Sequence, residues 1–277
     1  MRPELEKKIK SAIKLLQSIS ALKNGEPVEV AYSGGKDSDT ILQLVKEAGI
    51  NYRAIYKNTT IDPPGTIAHA IEMGAEIRRP KNTFFKLIRK KGMPSRFSRF
   101  CCAELKEYKI LDTCVIGVRR EESTKRAARY KEPTVCRVYS KTERVEQILP
   151  ILEWTLQDVA EFLEDRKIKL APVYYDESGK VHYERRLGCL GCPLVNETKQ
   201  LEEFKKYPNL AKQWCKAQKV FRDTHPNCKS VKLYEDEYEN FCFNVLKRKM
   251  AKIPTNKEAL FKTDYKQFLQ DLLNITF

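Results

Sequence analysis

A chain of 277 residues, 42% of them hydrophobic, can bury a real core: one large α/β domain, or a domain of about 200 residues with a smaller appendage. Charged residues reach 32%, against roughly 25% in an average globular chain, and Lys+Arg 52 against Asp+Glu 37 leaves +15. No apolar run approaches the ~18 residues a membrane span needs, and MRPELEKKIKSAIKLLQSIS lacks the apolar block of a signal peptide, so a soluble, cytoplasmic protein without a membrane partner is expected.

Residues 3–22 carry Leu5, Ile9, Ile13 and Leu16 at helical spacing behind Pro3, which suits a first turn. VEVAYS (28–33) reads as a strand, SGGKDS (33–38) as a tight turn, and DTILQLVKEA (39–48) as a helix stopped by Gly49. YRAIYKN (52–58) is a second strand, followed by TTIDPPG and a helix around TIAHAIEM stopped by Gly74. FFKLIRKKG reads as a helix end, TCVIGV (113–118) as a third strand, and WTLQDVAEFLEDR as a helix capped by Thr155. From about residue 197 the pattern is helical and charged, with no clear strand. Strands alternating with helices predict an α/β fold: a parallel twisted sheet of about five strands covered by helices, with a C-terminal helical extension. The expected division is an α/β domain over residues 1–195, which carries the clustered cysteines, and a helical region over 196–277.

SGGKDS sits where a phosphate cradle belongs, between a strand and a helix. Gly34 and Gly35 let backbone approach an anion closely, and the N–H groups opening the next helix favour negative charge. Ser33 and Ser38 add hydroxyls and Lys36 a point charge. The loop differs from the G-x-x-x-x-G-K-[ST] loop of nucleotide kinases; the plainer alternative is a Gly-Gly turn that only connects two elements. The net charge suits a polyanionic partner or an anionic substrate, or else marks a merely basic surface. Nine cysteines in a reducing compartment point to metal or redox chemistry, and only Cys101–Cys102 and the C-x-x-C of Cys189 and Cys192 are clustered.

SGGKDS resembles the PP-loop of the adenine-nucleotide α-hydrolase superfamily, which includes ATP pyrophosphatases and sulfonucleotide (PAPS/APS) reductases. GVRREESTKRA (117–127), LPILEWTLQDVAEFL (149–163) and RLGCLGCP (186–193) are similar, in order, to further reductase-family segments, so the resemblance covers roughly residues 25–195. It implies an adenylyl nucleotide, ATP or PAPS/APS, held by the loop residues Ser33 to Ser38 together with Arg119, Ser123 and Arg126, with Asn58 and Thr59 beside the adenosine. Two guanidinium groups after the third strand suit phosphate or sulfate; the alternative for each is an ion pair with Glu121 or Glu122. It also implies that Cys101, Cys102, Cys189 and Cys192 ligate a [4Fe–4S] cluster, as in the iron–sulfur branch of those reductases, with Lys106 offsetting thiolate charge. Zinc takes four cysteines too, but adjacent helical residues point about 100° apart, which a larger cluster accommodates better.

Two departures redirect the reading. The chain ends in DLLNITF and carries no Glu-Cys-Gly-Leu-His-like motif for a reductase nucleophile; its late thiols are Cys215, Cys228 and Cys242. SGGKDS keeps the Lys-Asp pair of enzymes that cleave ATP between the α and β phosphates, where Lys36 can neutralise departing pyrophosphate and Asp37 can help hold Mg²⁺. This combination looks like the ATP pyrophosphatases that put sulfur into nucleic acid. The expected catalytic set is Lys36, Asp37, Lys106 and Arg119, with tRNA or DNA as acceptor and a sulfur-donor protein or thioredoxin as partner. A sulfonucleotide reductase and a redox-sensing nucleotide-binding regulator are the alternatives.

Overall fold

The computed structural model describes residues 1–139, 143–255 and 262–277. In chain order the elements used below are α1 (Pro3–Leu22), β1 (Val28–Tyr32), α2 (Lys36–Ala48), β2 (Tyr52–Lys57), α3 (Thr66–Glu72), β3 (Glu76–Arg78), α4 (Phe84–Lys91) and α5 (Phe100–Leu105). There follow β4 (Thr113–Val115), α6 (Thr124–Arg129), β5 (Thr134–Val138), β6 (Arg144–Ile148), α7 (Leu156–Asp165), α8 (Glu197–Lys206) and α9 (Pro208–Thr224), with later helices including Glu237–Asn244 and Tyr265–Leu273.

By packing, the chain divides into two compact units. One comprises Met1–Asn58, Asp62–Arg79 and Glu107–Leu187; the other comprises Thr59–Ile61, Pro80–Lys106 and Gly188–Phe277.

The first unit is an α/β layer structure. Among the described residues its sheet has six strands in the order β3-β2-β1-β4-β6-β5, parallel except for β5 against β6. The sheet is one strand larger than the five expected, and its added edge strand runs antiparallel. The strand expected over 113–118 ends at Val115, and two residues later Gly117 passes so close to α2 that a Cβ there would lie 2.8 Å from the Asp37 carbonyl oxygen. Leu5, Ile9 and Leu16 of α1, Ile41, Leu44 and Val45 of α2, and Phe162 of α7 bury their apolar stripes around Val28 and Val30 of β1. Thr155 caps α7 as expected: its hydroxyl accepts from Asp158 N at 3.1 Å and the Asp158 carboxylate accepts from Thr155 N at 2.9 Å.

β1 has β2 on one side and β4 on the other, so the direction in which the strands are laid down reverses between β1 and β4. Open α/β sheets bind ligands outside the carboxyl ends of the strands at such a point. SGGKDS leaves β1 there, and Arg119 lies just past β4.

The second unit is helical. Phe84, Leu87 and Ile88 of α4 pack with Phe204 of α8, Trp214 of α9 and Phe241, and ring pairs such as Phe84–Trp214 at 4.9 Å and Phe204–Phe241 at 5.0 Å fill its core. No helix among the described residues is long and apolar enough to cross a membrane.

Candidate active site

The loop after β1 has the backbone an anion cradle needs. Gly34 lies in the left-handed region at φ +74, and a Cβ there would meet Thr66 Cγ2 at 2.8 Å. Gly35 is the N-cap of α2 and brings no capping side chain; its carbonyl accepts from Ser38 N at 2.8 Å and Asp39 N at 2.9 Å. The Ser38 hydroxyl donates to the same carbonyl at 2.7 Å and lies 3.2 Å from Ser33 Oγ. Lys36 N donates to the Tyr174 hydroxyl at 3.1 Å, and a Cβ at Gly35 would come within 3.3 Å of that hydroxyl. Tyr174 thus walls the loop from the side.

Lys36 is only 3% exposed. Its ammonium lies 3.3 Å from Asp37 Oδ2 and 3.4 Å from the Arg185 carbonyl, and stands 5.7 Å from the centre of the Tyr174 ring. Burial pushes its pKa below the usual lysine value; Asp37 opposes that shift, and Arg119 and Arg186 add to it. A nearby phosphate would relieve the same strain. Arg119, also 3% exposed, donates from Nε to Asp37 Oδ1 at 2.7 Å and from Nη1 to Glu121 Oε2 at 2.7 Å. Both oxygens of Asp37 therefore face cations, so this carboxylate is not the ready sole ligand of an Mg²⁺ that the sequence suggested.

Ser123 caps α6, accepting from Arg126 N at 3.2 Å, and the Arg126 guanidinium pairs with Glu122. Burial and the neighbouring Arg186 both lower the Arg126 pKa. The glutamate partners weighed from the sequence are thus present for both arginines, and Arg119 holds the loop residue Asp37 as well. Asn58 follows β2 directly, and its N–H donates to the Arg78 carbonyl at 3.0 Å.

Sequence reasoning missed the layer beneath the loop. Asp39 is fully buried, accepts a hydrogen bond from the Tyr32 hydroxyl, and lies 3.0 Å from His69 Nε2. Burial raises the pKa values of both Asp39 and Tyr32. His69 belongs to α3, whose Thr66 packs under Gly34, so the Asp39–His69 contact helps hold the loop's floor. The signal was available: Asp39, Leu42 and Val45 fall on one helical face, and that face is buried. Tyr174 carried no such signal, because it reaches the loop only through the tertiary fold.

The four cysteines lie in the second unit. Cys101 and Cys102 on α5, with Cys189 and Cys192, line one small cavity together with Lys106, Thr59 and Trp214. Thr59 therefore sits with the thiols: its hydroxyl is 3.6 Å from Cys189 Sγ. The C-x-x-C turn is pinned on both sides. Leu190 N donates to the Ile61 carbonyl at 2.9 Å and Gly191 N to Glu203 Oε2 at 2.8 Å, while Gly191, at φ +66, leaves room for the Phe204 ring. A hydrogen bond with Cys102, then burial, raises the Cys101 pKa; burial raises that of Cys192, against which the Lys106 charge acts.

Among the described residues, no three His, Cys, Asp or Glu side chains converge on one point as ligands of a single ion. Four thiols around one cavity are nevertheless the donor set of a cubane cluster. Trp214 lines that cavity, and its indole N–H is buried without a hydrogen-bond partner, a donor left over for an acceptor bound nearby. Four cysteines lining one cavity are a donor set that both a [4Fe–4S] cluster and zinc can use.

Comparison with known proteins gives the following. Among curated proteins none matches the sequence. Among solved structures the chain is similar to Candida glabrata FMN adenylyltransferase, at 17% identity and a TM-score of 0.42, covering 62% of this chain and 58% of that one. It therefore spans less than two thirds of that protein. It is also similar to phosphoadenylyl-sulfate reductase from Candida auris in a phosphate complex, at 14% identity and TM-score 0.45, over 68% of this chain and 96% of that one. A third is the U34-tRNA thiolase NcsA from Methanococcus maripaludis with its [4Fe-4S] cluster, at 17% identity and TM-score 0.37, over 94% and 90%. The family model for the phosphoadenosine phosphosulfate reductase domain matches residues 27–195, more than half of the chain, and the chain belongs to that family.

Proposed function

We propose that the chain binds ATP at the loop after β1 and cleaves it between the α and β phosphates to activate an acceptor for sulfur transfer. An acceptor oxygen attacks the α-phosphorus, the bond to the bridging oxygen breaks, and pyrophosphate leaves with the charge that Lys36 meets. The observation that carries this reading is the Lys36–Asp37–Arg119 array at the start of α2, where a desolvated ammonium and a buried guanidinium share one carboxylate and would meet the charge of departing pyrophosphate. Arg119 orients Asp37 and adds positive charge on the phosphate side; Arg126 and Ser123 follow on α6 and its cap. Cys101, Cys102, Cys189 and Cys192 would hold a [4Fe–4S] cluster with Lys106 beside them; bound there, it would supply a redox-active, sulfur-binding centre. A net charge of +15 suits tRNA or DNA as the acceptor.

Anaerobic protein incubated with ATP and Mg²⁺ should release pyrophosphate and AMP, faster with nucleic acid present, and Lys36→Ala should abolish it. ADP and phosphate as products would overturn the reading.

Family membership and one thiol favour a second reading, thiol-dependent reduction of PAPS or APS. Cys215 and Cys242 are buried, with pKa values raised by burial, whereas Cys228 is half-buried and its pKa is lowered by hydrogen bonding with Ser230. Its thiolate would bond to the sulfonyl sulfur as the nucleotide phosphate leaves, and a thioredoxin-type thiol would then release sulfite and form a disulfide. Sulfite production lost in Cys228→Ser would establish that reading.

A further inference from the structure

In the second unit the segment Arg96-Phe97-Ser98-Arg99 precedes α5 and presents an aromatic ring to solvent. Phe97 is 99% exposed, the most exposed large apolar side chain among the described residues. The backbone around it is built: Ser95 Oγ accepts from Phe97 N at 3.3 Å and Ser98 N at 3.2 Å, and Ser95 N donates to the Ser98 carbonyl at 3.1 Å. A closed turn thus holds the ring outward, and its neighbours Arg96 and Arg99 are exposed too. The surrounding chain is basic: residues 89–106 carry six Lys or Arg and one acidic residue, Glu104, which is paired with Lys91.

Burial and then the Arg96 charge lower the Lys247 pKa, Lys247 Nζ donates to the Pro193 carbonyl at 2.6 Å, and Pro193 follows Cys192 at the cavity.

We propose that this turn is a docking site for single-stranded nucleic acid, with Phe97 as the stacking platform for one base and Arg96 and Arg99 as phosphate contacts. Among the described residues of 89–106, Phe97 is the one exposed large apolar side chain, little beside the roughly 800 Å² per partner that a protein interface buries. A base needs only one π-face, and the flanking cations match its phosphates. Phe97 stands four residues before Cys101, so a strand stacked there is held near the thiols of its own unit. The inference rests on the proposed function only for what happens to the strand afterwards.

The test is fluorescence anisotropy with a labelled 12-nucleotide single-stranded RNA, DNA of the same sequence, and the matching duplex. Phe97→Ala and Phe97→Leu should each weaken single-strand binding by roughly 5- to 150-fold, Phe97→Trp should retain it, and duplex binding should change little. Arg96→Ala with Arg99→Ala should reduce the salt slope by about 1.4, two contacts at about 0.7 each. Thermal melts matching the parent show that the exposed substitutions leave the fold intact. Parent-like single-strand binding in both Phe97 variants, or equal losses for single strand and duplex, would overturn the proposal. Phe97-dependent binding without any pyrophosphate formation would sink the adenylation reading and leave this one standing.

Discussion

Arg119 donates its Nε–H to Asp37 Oδ1 at 2.7 Å, joining the segment after β4 to the first turn of α2. A buried guanidinium therefore fixes a carboxylate in the first turn after the SGGKDS glycines. Arg119→Ala leaves Asp37 with Lys36 alone and should cost about 1–3 kcal/mol in urea unfolding and at least tenfold in ATP affinity. Arg119→Lys keeps the charge but not the fork, and should restore stability more than affinity. Glu121→Ala removes only the arginine's outer partner and should leave ATP binding within about twofold, since single exposed pairs contribute ~0–1 kcal/mol.

The depressed pKa of Lys36 gives a pH signature. The charged ammonium is the form that binds phosphate, and its folded-state pKa lies below the ordinary 10.5. Charge is complete below that lowered value and disappears as pH rises through it, so ATP affinity should begin to fall before pH 10.5. Lys36→Arg, whose guanidinium stays protonated to above about pH 12, should flatten that alkaline limb. Titrations by calorimetry between pH 7 and 10 read the difference; a parent profile as flat as that of the arginine variant would show that Lys36 does not meet the phosphate.

Close approach distinguishes the glycines. Gly117→Ala would press a methyl to 2.8 Å from the Asp37 carbonyl, and Gly34→Ala would combine a left-handed φ with a 2.8 Å contact to Thr66. Each should lower stability by about 1–3 kcal/mol and remove most ATP binding. Gly49, at φ +66 with nothing within 4 Å, is the control: Gly49→Ala should cost only about 1 kcal/mol and leave ATP binding unchanged. Equal losses of ATP binding in all three would mean that global stability, not loop shape, sets affinity.

Much of this site was legible in the sequence, and the gaps have physical causes. Gly34 to Ser38 and Arg119 were readable because backbone freedom and charge at a strand-to-helix turn are local properties. β3 was missed because three residues, Glu76–Arg78, are too few to show alternation. β5 and β6 pair at the sheet edge and carry polar residues such as Arg137 and Gln147 among their apolar ones, so neither reads as a buried parallel strand. Thr59 was expected beside an adenosine because it follows β2, yet it sits with Cys189: one residue past Asn58 the chain enters the other unit. Tyr174 and Trp214 act through contacts between elements far apart in sequence, which no local pattern reports.

The cysteine cavity makes a spectroscopic prediction. Anaerobic protein should contain about four iron and four sulfide per chain, and Cys102→Ser or Cys192→Ser should bleach it. Cys215→Ser should not, since Cys215 is buried in the helical core away from that cavity's lining. Trp214→Phe removes the unpaired indole N–H and with it a donor that stabilises the more negative, reduced state, so the cluster's potential should fall. Stoichiometric zinc without iron would contradict a cluster at these four cysteines.

The most direct measurement is a competition on one anaerobic preparation: ATP with Mg²⁺, and PAPS or APS with thioredoxin and reductant, each with and without RNA or DNA. Pyrophosphate and sulfite are quantified together. The account predicts pyrophosphate from ATP, stimulated by nucleic acid and lost in Lys36→Ala, with little sulfite, because a sulfonucleotide needs an attacking thiolate and two of the three late cysteines are buried. Sulfite without pyrophosphate, abolished by Cys228→Ser and indifferent to nucleic acid, would contradict it.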